Sequence, residues 1–249
     1  MLKSIEVILR EVNNLKRIGE QYSAQDSGTL SIATTHTQAR YVLPGPVAAL
    51  RQAYPKVAVS LHQGSPDQVA KMLIEETAEI GMATESLVNY PELVTLPCYE
   101  WQHVLVLPFD HPLVQRERIT LEDLAQVPLI TYHPSFTGRT RIDQAFAMRH
   151  LQPNIVLEAI DSDVIKTYVK LGMGVGIVAE MAMQGENATP DLVARPAAQL
   201  FGHNLARVAF KRGTYLRHFV LRFAELLSDR LSRDLILQAM AGEGHHFDI

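Results

Sequence analysis

Cysteine is almost absent from this chain. Cys98 is the only one in 249 residues, so no disulfide can close within it, which fits a reducing compartment. Charge of one sign is lacking too. A net charge of −4 leaves neither the electrostatic footprint of a nucleic-acid binder nor the basic anchor of a membrane-surface protein. No apolar run is long enough to span a bilayer. Met1-Leu2-Lys3-Ser4-Ile5-Glu6 is too broken by charge to serve as the apolar core of a signal peptide, so a cytoplasmic location is expected. Catalytic signatures are missing as well. There is no Gly-x-Ser-x-Gly elbow and no Walker-type phosphate loop, and the ten histidines show no zinc-ligand spacing. No metal, no cofactor and no enzymatic activity are therefore expected.

What is present is an ordinary globular composition, 47% hydrophobic and 20% charged, enough for one large or two modest domains. Residues 2–22 read as an amphipathic helix. Ile5, Ile8, Val12 and Leu15 keep a coiled-coil rhythm for two heptads, which suits a short dimer-forming or linking helix. The chain then alternates. Strands at Thr29–Ala33, Val57–His62 and Ile80–Thr84 are separated by a helix at Gln38–Tyr54, broken at Pro44 and Pro46, and by one running from Ser65-Pro66 to about Thr77. That order predicts a parallel sheet. Further strands are expected at Val104–Leu107, Leu129–Tyr132, Ile155–Ile160, Val175–Val178 and Ala206–Phe210. Helices are expected at Leu121–Ala125, Thr140–Arg149, Asp163–Leu171 and, as one long closing helix, Leu216–Leu237. Gly172-Met173-Gly174-Val175-Gly176 follows a helix and precedes a strand, so it reads as a tight turn and not as a dinucleotide fingerprint. Two α/β units with a cleft between them are the expected outcome.

Binding chemistry is better supported than catalysis. Thr34-Thr35-His36-Thr37-Gln38-Ala39-Arg40 lies between a strand and a helix. A strand that ends in hydroxyls and runs into a helix start sets backbone N–H groups beside neutral donors, a place for a small anion. The same residues could simply cap the helix. Thr84, at a strand end, and Phe136-Thr137-Gly138-Arg139, before a helix, repeat the arrangement. Trp101, the sole tryptophan, belongs to the core or covers a ligand with its indole. Arg40 and Arg139 would offer bidentate anion contacts or be solvated. Neutral donors converging from two lobes suit a tetrahedral oxyanion or a small acylated amino acid.

At this point specific strings matter. Gly28-x-Leu30-x-Ile32-x-Thr34, Leu43-Pro44, Ala53-Tyr54-Pro55 and Leu171-Gly172-Met173-Gly174-Val175-Gly176-Ile177-Val178 resemble the effector-binding domain of LysR-type transcriptional regulators. Thr34 to Tyr41, His62-Gln63-Gly64-Ser65-Pro66, Leu96-Pro97-Cys98-Tyr99, Phe136-Thr137-Gly138-Arg139 and Asp163 to Val169 are similar, more closely, to the cysteine-regulon activators within that family. The resemblance runs from the first helix to about Leu226. It implies two Rossmann-like lobes of periplasmic-binding-protein type with a ligand cleft between them, preceded by a linker helix. Residues 1–24 would be part of that helix, 25–98 and 203–249 the first lobe, and 99–202 the second. It implies sulfate or N-acetylserine as effector, held by Thr35, Thr37, Gln38, Thr84, Trp101 and Thr137. It also implies a homodimer or homotetramer that reaches operator DNA only through an N-terminal winged helix-turn-helix. The chain opens within the linker helix, so a sensor fragment is expected. A ligand would act by favouring one arrangement of the lobes. A solute-binding receptor for sulfate-like anions would share the fold, and is the alternative.

Overall fold

The structure, a computed structural model, describes residues 2–23 and 27–242. The chain divides into two compact units, Met1–Tyr99 with Ala206–Ile249, and Glu100–Leu205. The first unit opens with α1 (Leu2–Ser23). It continues through β1 (Ser27–Thr34), α2 (His36–Tyr41), α3 (Pro44–Ala53), β2 (Lys56–Gln63), α4 (Pro66–Ile74), β3 (Ile80–Thr84) and the first half of β4 (Leu93–Pro108). The helix expected over Gln38–Tyr54 is two helices. Pro44 and Pro46 lack the N–H that would continue α2, and Pro44 instead opens α3 at its first turn. Helix α4 starts where Ser65 and Gln68 exchange side-chain and backbone hydrogen bonds, with Pro66 at the first helical position. It ends at Ile74, short of Thr77, because Glu76 turns the chain at φ +58°.

Strand β1 pairs parallel with β2 and with β3, as expected, but β9 (His203–Lys211) pairs antiparallel with β3. Ala33, Val69, Leu73, Ala83 and Leu87 form a core between this sheet and α4. The long closing helix is also two, α9 (His218–Leu227) and α10 (Arg233–Ala241). Ser228 is extended and its hydroxyl donates to the Cys98 carbonyl at 2.7 Å, which takes the chain out of the helix. Ser232 then accepts from Leu235 N–H and caps the next one.

The second unit holds the rest of β4, then α5 (Leu121–Ala125), β5 (Pro128–Tyr132), α6 (Thr137–Met148), β6 (Asn154–Ala159), α7 (Ser162–Lys170), β7 (Val175–Ala179), β8 (Leu192–Pro196) and α8 (Ala198–Phe201). Its strands run in the order β6-β5-β7-β4, with β8 also on β4. Pairing is parallel around β5 and antiparallel onto β4. Leu105, Leu107, Leu129, Ile142, Phe146, Ile177 and Phe201 fill its core. Gly172, at φ +73°, makes the tight turn between α7 and β7. Strand β4 extends far beyond Val104–Leu107, and β8 has no counterpart among the expected strands.

Candidate functional site

In the first unit, Thr34 lies opposite Met82 across the parallel β1–β3 pair, so Thr35 and Thr84 leave the same carboxyl edge of adjacent strands. Thr34 is structural, since its hydroxyl donates to the Met82 carbonyl at 3.0 Å. Thr35 is 7% exposed and stands at the start of α2 in extended conformation, with no side-chain bond to the helix it precedes. Its hydroxyl is not spent as a cap. Helix α2 is only six residues long, so its dipole adds little and any ligand there depends on side chains. Thr37, half-buried, and Gln38, buried, lie in its first turn. The Tyr99 hydroxyl donates a very short hydrogen bond to Gln38 Oε1, which orients the carboxamide and leaves its two N–H groups as the donors it can offer. Burial raises the Tyr99 phenol well above its ordinary range, so it stays protonated in that role. Thr84, also buried, ends β3 just ahead of the short helical turn Glu85–Asn89.

In the second unit, Trp101 and His103 alternate onto one face of β4. Trp101 is 6% exposed and its Nε1 has no hydrogen-bond partner among the described residues. His103 is fully buried, packed edge-on by Trp101 at 5.1 Å and by Phe201 at 5.8 Å. Burial, with the positive charge of Arg141 adding to it, pushes the imidazole down to about 3, so the ring is neutral. Its Nδ1 lies 3.5 Å from Asn204 Nδ2. His103 and Asn204 are not among the residues the sequence singled out. The readable signal was the i, i+2 spacing of His103 from Trp101 on a strand.

Thr137 is the first residue of α6; its side chain lies outside the described residues. The helix begins three positions before Thr140, so Thr137-Gly138-Arg139 forms its first turn and does not precede it. Arg139 is neither solvated nor an available anion clamp. Its guanidinium is buried against Asp143 at 2.6 Å, Glu158 at 2.5 Å and the Tyr132 carbonyl at 2.8 Å. Arg40 is exposed, 5.6 Å from the Tyr41 ring centroid. Thr35, Thr37, Gln38 and Thr84 thus belong to one unit and Trp101 and Thr137 to the other, all of them neutral.

Residues 23–232 match the family described as LysR substrate binding domain. The chain is 53% identical to the HTH-type transcriptional regulator CysB of Burkholderia cenocepacia, over all of this chain and 79% of that protein. It is 45% identical to the HTH-type transcriptional regulator cbl of Escherichia coli, over all of this chain and 78% of that protein. A crystal structure of the cofactor-binding domain of the Cbl transcriptional regulator superposes with a TM-score of 0.81 at 48% identity, covering 86% of this chain and 94% of that one.

Proposed function

This chain belongs to the LysR substrate-binding-domain family, and from that premise we propose how it senses its effector. It is the effector-binding part of a LysR-type transcriptional regulator of sulfur assimilation and cysteine biosynthesis genes, a reading its similarity to the HTH-type transcriptional regulators CysB and Cbl supports. Regulators of this family bind small-molecule effectors, oligomerise, and bind DNA through an N-terminal domain.

The effector is sulfate, N-acetylserine or a related small molecule. Its binding residues are Thr35, Thr37, Gln38 and Thr84 of the first unit and Trp101 and Thr137 of the second. The observation that carries this reading is Thr35: a buried residue at a helix start whose hydroxyl does not cap the helix, on the same strand edge as Thr84. A hydroxyl not used as a cap at such a strand edge is a donor that a ligand can take. Helix α1, Leu2–Ser23, is part of a linker helix. Its Ile5, Ile8, Val12 and Leu15 are 47%, 62%, 43% and 68% exposed, and a second copy of the chain covers them. The protein works in the cytoplasm, without catalysis. The effector acts by population shift, and a ligand with equal affinity for both states shifts nothing.

Calorimetric titration with sulfate, N-acetylserine and O-acetylserine tests the reading, with Thr35→Val alongside. Binding of at least one, weakened in the variant by roughly 1–3 kcal/mol, is expected. No heat from any of the three with folded protein would overturn the ligand assignment.

A further inference from the structure

Below the first turn of α6 there are more buried polar atoms than partners for them. Trp101, His103 and Asn204 are all at least nine-tenths buried, yet Trp101 Nε1, His103 Nε2 and Asn204 Oδ1 have no hydrogen-bond partner among the described residues. Such atoms are costly, and three of them together in one core call for a compensating role. The imidazole has little room to move, with the indole at 5.1 Å and Phe201, at an interplanar angle of 84°, at 5.8 Å. Its Nε2 end meets α6. A Cβ at Gly138 would lie 2.8 Å from His103 Nε2, 3.5 Å from His103 Cε1 and 3.4 Å from Trp101 Cη2. Alanine is the better helix former, so the glycine is explained by this contact and not by backbone preference.

We propose that His103, held by Asn204, is a positioning residue for the effector-binding residues of the second unit. Its ring is a spacer of fixed thickness that sets the indole of Trp101 and the height of the first turn of α6, and so the backbone at Thr137. The proposal rests on reading Trp101 and Thr137 as effector-binding. His103 itself touches no effector.

The test is calorimetric titration with sulfate, with the emission of Trp101, the only tryptophan, as second readout. Gly138→Ala drives a methyl into the ring and is expected to weaken sulfate binding about tenfold, with a shift in Trp101 emission. Adding His103→Asn to Gly138→Ala removes the ring atoms that methyl would meet while keeping a planar, hydrogen-bonding group beside Asn204, and is expected to restore binding at least partly. Rescue of this kind separates positioning from a general loss of structure. A double variant no tighter than Gly138→Ala, or Gly138→Ala binding like the unsubstituted chain, overturns the proposal. Should Gly138→Ala not fold, His103→Gln decides, since it keeps a hydrogen-bonding end without the rigid ring. Sulfate binding weakened about fivefold supports the proposal and unchanged binding overturns it. If the unsubstituted chain takes up no sulfate, the effector reading falls and the positioning role with it. If it does, and the Gly138 and His103 variants match it, only the positioning role falls.

Discussion

The fully buried, neutral imidazole of His103 makes the stability of the second unit depend on pH in one direction. In the unfolded chain a histidine titrates near 6.5; in the fold, burial and the charge of Arg141 push His103 down to about 3. Between those values the unfolded chain takes a proton that the folded chain refuses. The stabilisation is therefore intact above about pH 6.5 and is lost as pH falls through the window. Each pH unit inside the window is worth about 1.4 kcal/mol. Integrating the two titrations, the single site costs about 2 kcal/mol between pH 7 and pH 5, and about 3 kcal/mol by pH 4. The assay is urea unfolding at pH 7, 6 and 5 of the unsubstituted chain and of His103→Phe, followed through Trp101 fluorescence. Trp101 lies two residues away in the same unit, so it reports the opening that exposes the imidazole. Carboxylates and other histidines titrate alike in both proteins and cancel in the difference. Relative to the variant, the unsubstituted chain should lose about 2 kcal/mol from pH 7 to pH 5. Parallel stability curves would refute the burial of a neutral imidazole at this position.

Other positions make separate predictions. Cys98 is buried and its thiol is pushed up to about 12 by burial, against the opposing effects of Ser228 and Arg230, so native protein should resist a disulfide reagent at pH 8 and react at the rate of opening. Immediate labelling would contradict this. Glu79 takes two bonds from the Arg217 guanidinium, at 3.1 and 2.5 Å, in a pair whose side chains are about 10% exposed, so Glu79→Gln should cost about 3 kcal/mol in urea unfolding. A loss below half a kcal/mol would place that pair with ordinary surface bridges. Ile8→Asp puts a charge on the exposed apolar face of α1 and should lower the mass measured by light scattering at micromolar protein; an unchanged mass would refute the proposed covering of that face by a second copy.

The elements legible in the sequence are those set by local chemistry. Ser65-Pro66 announces α4 because cap, proline and Gln68 are all within one turn. Ile80–Thr84 is a strand at the expected residues because a short apolar run between turns leaves little choice. What stayed hidden depends on partners far along the chain. Ser228 breaks the closing helix by bonding to Cys98, 130 residues upstream. Strand β4 passes through Pro97, Glu100 and Gln102, which look like interruptions until Glu180 is seen to accept from both the backbone and the side chain of Gln102. Of the candidate site, Thr35 and Thr84 were readable as hydroxyls at strand ends and Thr137 as one beside a helix start. The surroundings of His103 were not, because Gly138 and Phe201, which its ring meets, are 35 or more positions away along the chain.

The pairing of Arg139 has a consequence for selectivity. Two carboxylates and a carbonyl take up the one cation in the first turn of α6, and the six candidate residues carry no charge. A site that balanced a dianion with a free guanidinium would strongly reject a ligand of lower charge. A site of neutral donors discriminates by where its hydrogen bonds fall, so a dianion and an acetylated amino acid with a single carboxylate can compete on similar terms. Occupancy and signal then separate, because whichever ligand fits one conformation of the protein better shifts the population, whatever its absolute affinity.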